Sequence, residues 1–401
     1  MKTTTLTPSA ISIKSENLYS QLQCDHCGGI HDKNKIHTFC LKDNQPLIAK
    51  YHLSESFSKE SLKNKPYNMW RYSEVFPIEK EENIVSLGEG FTPLLSLSNL
   101  ESSYNQSRLL LKDESGNPTG SFKARGISMA VSKAKELGVT EMCIPTAGNA
   151  GSALAAYCAK AGMTAHIFMP EATPKTFQLD CEIMGANVTK VKGNIADAAA
   201  LMKSKNDGSW FDISTLKEPF RLEGKKTMGY EIAEQLNWKL PDVVLYPTGG
   251  GTGLIGIWKA FHEMKALGWI DSIPTRMVAV QGDGCDPIIQ SFKKGENSIP
   301  KYENPAPTIA NGLRVPRPFG DRHVMKSIYE SNGTAIAVSD EEIKDGLSEF
   351  AKSEGLFLSP EGAAVWVGYK KLRASNWIKE HESVVMLNTG SVYKYAENLY
   401  S

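Results

Sequence analysis

The chain has 401 residues, and its 45 lysine and arginine side chains balance 45 aspartate and glutamate side chains, which gives a formal net charge of zero. A chain of this length is expected to form about two or three domains with a sizeable core. Zero net charge excludes recruitment of nucleic acid or of a membrane by bulk charge, so the expected partner is a small molecule.

The N-terminal residues 1–21 lack the apolar segment of a signal peptide, and no apolar run is long enough to cross a bilayer. Of the seven cysteines, Cys24, Cys27 and Cys40 lie close together and the others are scattered through apolar segments. This odd, uneven set argues against a disulfide framework and for a reducing compartment. We therefore expect a cytoplasmic protein without a membrane anchor.

The first cysteines have the spacing of a zinc ribbon that lacks one ligand. Cys24 and Cys27 form a Cys-x-x-Cys pair, and Cys40 follows after twelve residues. Asp43 stands where a second pair would supply its other cysteine, with His31 and His37 nearby. Two interpretations stay open, a structural zinc site and a metal-free knuckle or hairpin, and neither predicts a catalytic role.

Beyond about Glu89, apolar segments typical of buried strands alternate with segments of helical periodicity. The predicted strands are EMCIP, AHIFMP, NVTKV, WFDIS, DVVLYP, RMVAV, TAIAV and VVMLN. The predicted helices include GSALAAYCAKAG, KTMGYEIAEQLNW, GLIGIWKAFHEMKALGW and DEEIKDGLSEFAKSEG. The alternation predicts an α/β fold with mainly parallel sheets and helices on both faces, and ligands in such folds bind beyond the carboxyl ends of the strands.

Four loops at these strand ends are rich in glycine, threonine or asparagine, namely PTGSFK, PTAGNAG, PTGGGTG and NTGS. In the first, Gly120 marks a turn, Ser121 can cap, and Lys123 falls in the first turn of a helix. The helix dipole and burial would both disfavour an ammonium there and favour a neutral, nucleophilic amine. The alternative is a solvated surface lysine.

The loop PTGGGTGLIG, residues 247–256, predicts a phosphate site at the start of a helix. Gly251, Gly253 and Gly256 also have dinucleotide spacing, but the next strand ends in Gln281, where a ribose-binding acid is expected. A single compact phosphate fits better. Pyridoxal phosphate joins this loop to the lysine, because it needs both a phosphate cradle and an amine. Tight helix packing is the structural alternative for these glycines.

In this order, NPTGSFKARG, PTAGNAG, RLEGKKTMGYEI, YPTGGGTGLIG and NTGSVYK resemble the threonine synthase family of fold type II pyridoxal phosphate enzymes. The resemblance extends from about Leu87 to the C-terminus. It implies two three-layer α/β domains behind an N-terminal extension, and a homodimer. The expected divisions are an extension at 1–85, a large domain at 86–145 and 240–401, and a small mobile domain at 146–239.

By this resemblance Lys123 is the Schiff-base lysine and later carries protons. The other cofactor-binding residues that it implies are Asn149 at the ring oxygen, Thr389 at the pyridine nitrogen, and Gly249, Gly250, Gly251, Thr252 and Gly253 at the phosphate. The structural alternatives are a capping role for Asn149 and an ordinary turn for Thr389. The helix that opens after Thr146, Ala147 and Gly148 would bind the substrate carboxylate through its amides.

Threonine synthases convert O-phospho-L-homoserine and water into L-threonine and phosphate. The leaving phosphate needs cations, and Arg221 matches the family arginine that faces it. Lys112 and Lys175 are further candidates from charge and position, against the alternative of solvated surface lysines. The chain departs from the common S-F-K-D-R at Ala124 and from T-G-H-G-L-K at its TGSVYK segment.

Two other functions stay open. Another pyridoxal phosphate-dependent β-replacement or β-elimination lyase, such as a cysteate synthase-like enzyme or a threonine or serine dehydratase, would use the same Lys123, Asn149 and Thr389. In a different class, a nucleotide-binding regulatory protein would use the glycine loop. The pocket for the leaving group decides between the enzymes, because the fold is common to them.

Overall fold

The computed structural model describes residues 17–53 and 57–399 of the chain. The sequence predicts no signal peptide in residues 1–21. Of these, residues 1–16 lie outside the described residues. In the described part, no helix is both long and apolar enough to cross a membrane.

The N-terminal region forms a small antiparallel sheet of strand order β2-β1-β3. Its strands are β1 (Tyr19–Cys24), β2 (Ile30–His31) and β3 (Leu47–Tyr51). Short 3₁₀ helices follow at Lys59–Asn64, Met69–Val75 and Glu81–Asn83. Leu22 and Trp70 are buried in the same apolar cluster as the main helices, so this extension packs onto the rest of the chain.

Ten further strands form two sheets. In chain order they are β4 (Leu94–Ser96), β5 (Arg108–Asp113), β6 (Glu141–Pro145), β7 (Thr164–Pro170), β8 (Asn187–Val191), β9 (Phe211–Asp212), β10 (Val243–Pro247), β11 (Arg276–Gly282), β12 (Thr334–Val338) and β13 (Ser383–Asn388). The larger sheet has the order β12-β11-β10-β13-β5-β4, and the smaller one has the order β8-β7-β6-β9. Every pair is parallel except β4 with β5.

The helices lie between these strands. They are α1 (Ser98–Ser103), α2 (Lys123–Glu136), α3 (Asn149–Ala161), α4 (Lys175–Ile183), α5 (Ile195–Lys205), α6 (Phe220–Lys225), α7 (Thr227–Gln235), α8 (Thr252–Ala266), α9 (Pro287–Lys294), α10 (Asp321–Glu330), α11 (Asp340–Glu354), α12 (Pro360–Ala374) and α13 (Ala396–Leu399). The four helices predicted by periodicity correspond to α3, α7, α8 and α11, and each predicted strand overlaps a strand of the structure.

Both faces of the six-stranded sheet are covered by apolar side chains. In β10, Val244 and Tyr246 join one buried cluster, while Val243 and Leu245 join another on the opposite face. Strand residues alternate between faces, so this division means that helices pack on both sides. The sheet therefore has the predicted three-layer arrangement.

The smaller sheet is built from a continuous stretch of chain between β5 and β10. β6 pairs with β7 and β9, so it lies in this sheet although it precedes residue 146, where the small domain was expected to begin. Because the strands of each sheet are parallel, their carboxyl-terminal loops emerge at one edge. The glycine-rich loops lie at these edges.

Candidate active site

Lys123 is the first residue of α2, as its turn sequence predicted. Its backbone amide donates to the Ser121 hydroxyl at 3.4 Å, and Gly120 adopts a φ of 67° in the preceding turn. The loop is held against the end of β13, because the Phe122 amide donates to the Thr389 carbonyl at 3.0 Å. Lys123 and Thr389 are thereby brought together from distant parts of the sequence.

The surroundings of Lys123 favour its neutral amine. Burial and, second to it, the positive charge of Arg221 lower the pKa of Lys123 to about 7, against the opposing charge of Glu361. The Nζ atom lies 4.3 Å from the centre of the Phe122 ring. At neutral pH a large fraction of this amine is therefore uncharged and able to attack a carbonyl.

The glycine loop follows β10 and leads into α8. A Cβ on Gly249 would lie 2.1 Å from the Gly312 carbonyl oxygen, and one on Gly253 would lie 2.0 Å from the Tyr246 phenol oxygen. Gly251 has a φ of 75° and directly precedes the helix. Only glycine fits these positions, and the loop brings a row of main-chain amides to the positive end of a helix.

The acidic residue that a dinucleotide-binding loop requires for the ribose is absent at the expected position, which Gln281 occupies. Gln281 is fully buried; its amide nitrogen donates to the Thr248 carbonyl, and its oxygen accepts from the Ile288 amide. Gly256 packs against the backbone of Lys226, where a Cβ would lie 2.9 Å from the amide nitrogen. The third glycine of the motif therefore serves helix packing, and the structure favours a compact phosphate over a dinucleotide.

Asn149 begins α3 and carries a buried polar atom without a partner. Its Nδ2 donates to the Tyr395 hydroxyl at 3.0 Å, but its Oδ1 has no hydrogen-bond partner among the described residues. Immediately before it, the Thr146 hydroxyl accepts from the Gly148 amide. An unsatisfied buried amide atom costs about 1–3 kcal/mol, so this position is suited to a bound polar ligand.

Arg221 shows the same property in a charged group. Its Nη1 donates to the Ile213 carbonyl at 2.6 Å, whereas Nε and Nη2 are buried and have no partner among the described residues. These two nitrogens form one edge of the guanidinium, the edge that binds a carboxylate or a phosphate bidentately. Burial raises the pKa of the neighbouring Glu218 to about 7, against the attraction of Arg221.

Two glycines let Arg221 approach Lys123. A Cβ on Gly224 of α6 would lie 2.0 Å from the Arg125 carbonyl oxygen of α2. A Cβ on Gly126 of α2 would lie 2.8 Å from the Arg221 carbonyl oxygen. The two helices therefore touch backbone to backbone, and Arg221 of α6 lies close enough to lower the pKa of Lys123 of α2.

Three groups near Lys123 were not predicted from the sequence: Glu361, Tyr395 and Lys225. Glu361 Oε1 accepts from the Gly312 amide at 2.8 Å and from the Tyr395 hydroxyl at 3.3 Å, and burial raises the pKa of this carboxyl group. A glutamate beside a proline at the start of an apolar helix was an available signal for Glu361. Lys225 lies four residues after Arg221, which was a signal for a shared helix face.

The other two predicted cations lie elsewhere. Lys112, on β5, is fully buried and donates to the Thr92 carbonyl, Glu231 and Gln235, so its three protons are already engaged. Lys175 is exposed at the start of α4, where its amide donates to Glu397 at 3.2 Å. Neither side chain joins the group around Lys123.

The three N-terminal cysteines converge with Asp43. One potential ligand atom from each of Cys24, Cys27, Cys40 and Asp43 lies within 4.8 Å of the others. The Sγ atoms of Cys27 and Cys40 are 3.6 Å apart. His26 Nδ1 lies 2.9 Å from Asp43 Oδ2, while the rings of His31 and His37 meet edge to face, with ring centres 5.3 Å apart.

Taken together, the site around Lys123 fits pyridoxal phosphate. It offers a neutral amine, an amide-lined cradle that no other residue than glycine could form, and on Asn149 Nδ2 a second N–H beyond the one given to Tyr395. These are the features that an aldehyde, a phosphate and a ring oxygen require.

Comparison with known proteins agrees with this chemistry. The family model described as "Pyridoxal-phosphate dependent enzyme" matches residues 85–390. The threonine synthase of Methanocaldococcus jannaschii is 38% identical over 371 residues, which cover 92% of this chain and 91% of that protein. The threonine synthase of Methanosarcina acetivorans is 36% identical over 375 residues, 93% of this chain and 92% of that protein.

Solved structures show the same fold at lower identity. The diaminopropionate ammonia lyase of Escherichia coli superposes with a TM-score of 0.67 and 19% identity, over 80% of this chain and 90% of that chain. Maize serine racemase superposes with a TM-score of 0.65 and 21% identity, over 77% of this chain and 91% of that chain. At these identities the likeness establishes the predicted fold type.

Proposed function

Because this chain belongs to the threonine synthases, within the family of pyridoxal-phosphate dependent enzymes, we propose that it converts O-phospho-L-homoserine and water into L-threonine and phosphate. It is a lyase that acts on carbon–oxygen bonds. The observation that carries the substrate assignment is the unpartnered Nε–Nη2 edge of Arg221 beside Lys123.

The cofactor-binding residues are those that the geometry offers. We propose that Lys123 binds the aldehyde, that the loop Gly249, Gly250, Gly251, Thr252 and Gly253 binds the phosphate, and that Asn149 and Thr389 contact the ring. When bound, pyridoxal phosphate supplies an aldehyde for amines and an electron sink that acidifies protons on the substrate carbons.

Lys123 then acts as a proton carrier. With a pKa of about 7, its Nζ can take a proton from one substrate carbon and return it to another near neutral pH. The amides after Thr146, Ala147 and Gly148 orient the substrate carboxylate at the start of α3. These groups fix the substrate so that the carbon carrying the proton faces Lys123.

Arg221 binds the phosphate that leaves. A buried guanidinium with a free bidentate edge holds a phosphate dianion in one orientation, which explains why a site would keep an unsatisfied arginine. Lys112 has no free proton for this role and is left out of the proposed phosphate site. Lys175, exposed at α4, is proposed only as a rim cation that attracts the phosphorylated substrate.

We propose that the segment 146–239 acts as a small mobile domain. It carries Asn149 and Arg221, and its closure over the substrate would exclude water until the step that consumes it. Amide hydrogen exchange with and without substrate tests this idea, and unchanged exchange in α3 and α6 would oppose it.

The test of the function uses the purified enzyme loaded with its cofactor. O-phospho-L-homoserine should give equal amounts of phosphate and threonine, whereas L-serine and L-threonine should give no keto acid. Arg221→Ala should lower kcat/KM for O-phosphohomoserine by roughly 10²- to 10³-fold without loss of the bound cofactor's visible absorbance. Keto acid from serine or threonine without phosphate release would favour a dehydratase.

Arg322→Ala is the matched control for Arg221→Ala. Arg322 is exposed on α10 and lies outside the proposed site. Its kcat/KM should match that of the unmodified enzyme. If both arginine variants lost activity equally, Arg221 would have no specific role in binding phosphate.

We also propose a structural zinc ion at Cys24, Cys27, Cys40 and Asp43. Three thiolates and one carboxylate within reach of one another meet the tetrahedral preference of zinc. The purified protein should contain about one zinc ion per chain, measured by elemental analysis, and Cys40→Ser should lose it. Cys285→Ser, a buried cysteine elsewhere, is the control, and a Cys27–Cys40 disulfide in place of zinc would contradict the proposal.

Finally, we propose a cytoplasmic homodimer. The dimer is supported by the resemblance to the threonine synthase family, and the reducing compartment by seven cysteines that are all free. Light scattering should give twice the chain mass, and a monomer would oppose the first statement. Cell fractionation tests the second.

A further inference from the structure

Lys225 is a buried lysine that the proposed chemistry has not used. It ends α6, four residues after Arg221, so the two side chains emerge on one face of the helix. Only 1% of its surface is exposed. Within residues 17–53 and 57–399 its amine makes no hydrogen bond and no ion pair, and its Nζ lies 4.9 Å from the centre of the Phe122 ring.

The stem of Lys225 runs toward the start of α2. Its Cε lies 3.1 Å from the position that a Cβ on Gly126 would occupy, so this glycine provides the room for it. Phe122, which precedes Lys123, lies within 5 Å of both lysine amines. Two amines therefore meet at one aromatic ring, and the charge of Arg221 acts on both of them.

The charged groups around Lys225 are unbalanced. Burial lowers its pKa far below the usual value for lysine, and the charges of Lys123 and Arg221 add to this effect, while Glu218 opposes it. On α8, Glu263 instead pairs with the next lysine, Lys226, and with Lys259. Tyr246 from β10 adds a buried hydroxyl without a partner among the described residues.

A bound dianion would balance the positive charges around Lys225. A phosphate placed against Arg221 would bring two negative charges next to Lys225, and a nearby opposite charge favours the ammonium form. The amine would then take up a proton as the phosphate binds. Phosphate released by C–O cleavage would be the trianion, a poor leaving group, unless its ester oxygen receives a proton.

We propose that Lys225 is a second proton-carrying amine of the site, which binds the substrate phosphate with Arg221 and protonates its ester oxygen as it leaves. The inference rests on the proposed function. Lys123 removes a proton from the β carbon, the electron pair of that C–H bond forms the β–γ double bond, and the γ C–O bond breaks. The electron pair of the broken C–O bond stays on the oxygen atom, which takes the proton from Lys225 Nζ. Hydrogen phosphate then departs, and water later reprotonates Lys225.

The first test does not require turnover. Inorganic phosphate is titrated calorimetrically into the cofactor-loaded enzyme at pH 8 in two buffers of different ionisation enthalpy. The unmodified enzyme should take up close to one proton per phosphate bound. Lys225→Met, which keeps the side-chain volume, should bind phosphate more weakly and take up no proton. Absence of phosphate binding to the unmodified enzyme, or the same proton uptake in the variant, would overturn the proposal.

The second test uses O-phosphohomoserine. Lys225→Met should lower kcat by about 10²- to 10³-fold with its cofactor absorbance retained. Lys225→Gln, which can still donate a hydrogen bond, should recover phosphate binding without recovering kcat, and it replaces Lys225→Met if that variant fails to fold. Variants within twofold of the unmodified enzyme would overturn the proposal. If the unmodified enzyme releases no phosphate from O-phosphohomoserine yet shows Lys225-dependent proton uptake, the proposed reaction fails and the phosphate site stands.

Discussion

Helix α2 carries two basic side chains with opposite surroundings. Arg125 uses all of its N–H groups on Glu114, Glu231, Thr92 and Thr227, and Glu231 also binds Lys112. Lys123, two residues earlier, has an amine without a hydrogen bond among the described residues, and it lies near Arg221, whose guanidinium has a free edge.

The difference separates structure from binding. A buried charge with complete partners is costly to disturb but has nothing to offer a ligand. A buried charge with incomplete partners is kept in spite of its cost, so a ligand is the natural explanation. The ion pairs of Arg125 hold α2 against β5 and α7. Lys123 and Arg221, in contrast, are available to bind an anion.

The largest expected effect comes from removing the unpaired amine. Lys123→Ala should lower kcat for O-phosphohomoserine by at least about 10⁴-fold and abolish the visible absorbance of the lysine-bound cofactor. Its stability to denaturant should stay close to that of the cofactor-free unmodified protein, because Lys123 makes no structural pair. A variant that keeps the absorbance and turns over would remove Lys123 from the chemistry.

Replacing Arg125, whose N–H groups are all paired, should have a large effect on stability. Arg125→Met leaves Glu114 and Glu231 buried without their main partner, so it should lower the free energy of unfolding by about 3–5 kcal/mol. Urea denaturation of the cofactor-free protein measures this change. A loss below about 1 kcal/mol would mean that the network is not structural.

The sequence predicted the parts of this comparison that depend on local pattern. Strand and helix alternation indicated the parallel sheets, and turn residues indicated that Lys123 opens a helix; the fold type and the cofactor were confirmed. The segment RLLLKD was not predicted as β5, although it is the strand that carries Lys112. Its apolar run is only three residues long, between Arg108 and Lys112.

The partners of charged groups could not be predicted, because they lie far apart in the chain. Lys112 was a candidate for phosphate, yet its partner Glu231 lies 119 residues away. Long separation in the sequence also concealed that Glu361 lies near Lys123. It concealed the Gly126–Gly224 contact that brings Lys225 to Phe122 as well. Charge type is local information, but whether a charge is satisfied is set by packing.

A pH titration tests whether the amine of Lys123 has the lowered pKa that its unpaired surroundings predict. In cofactor-free enzyme, the rate of reaction with added pyridoxal phosphate should rise about tenfold per pH unit below pH 7 and level off above it, because only the neutral amine attacks. Stopped-flow absorbance measures this rate. Lys123→Arg supplies the background from other lysines. A rate that keeps rising toward pH 10 would indicate an ordinary, solvated lysine.

The smallest expected change is the most direct contrast with Arg125. Arg221→Met removes a buried charge that lacks full partners, so we expect stability to change by no more than about 1 kcal/mol, toward a more stable protein. Glu218 would not be left as a buried anion, because burial already raises its pKa to about 7 and losing Arg221 raises it further. Urea denaturation compares this variant with Arg125→Met.

Inorganic phosphate completes that experiment. Phosphate that binds only the folded protein raises its melting temperature, so the cofactor-loaded unmodified enzyme should be stabilised and Arg221→Met should not. A loss of about 3 kcal/mol or more in Arg221→Met would instead place Arg221 in the same structural class as Arg125. Arg125 of α2 and Arg221 of α6 would then have different partners but the same structural role, and the free edge of Arg221 would no longer indicate ligand binding.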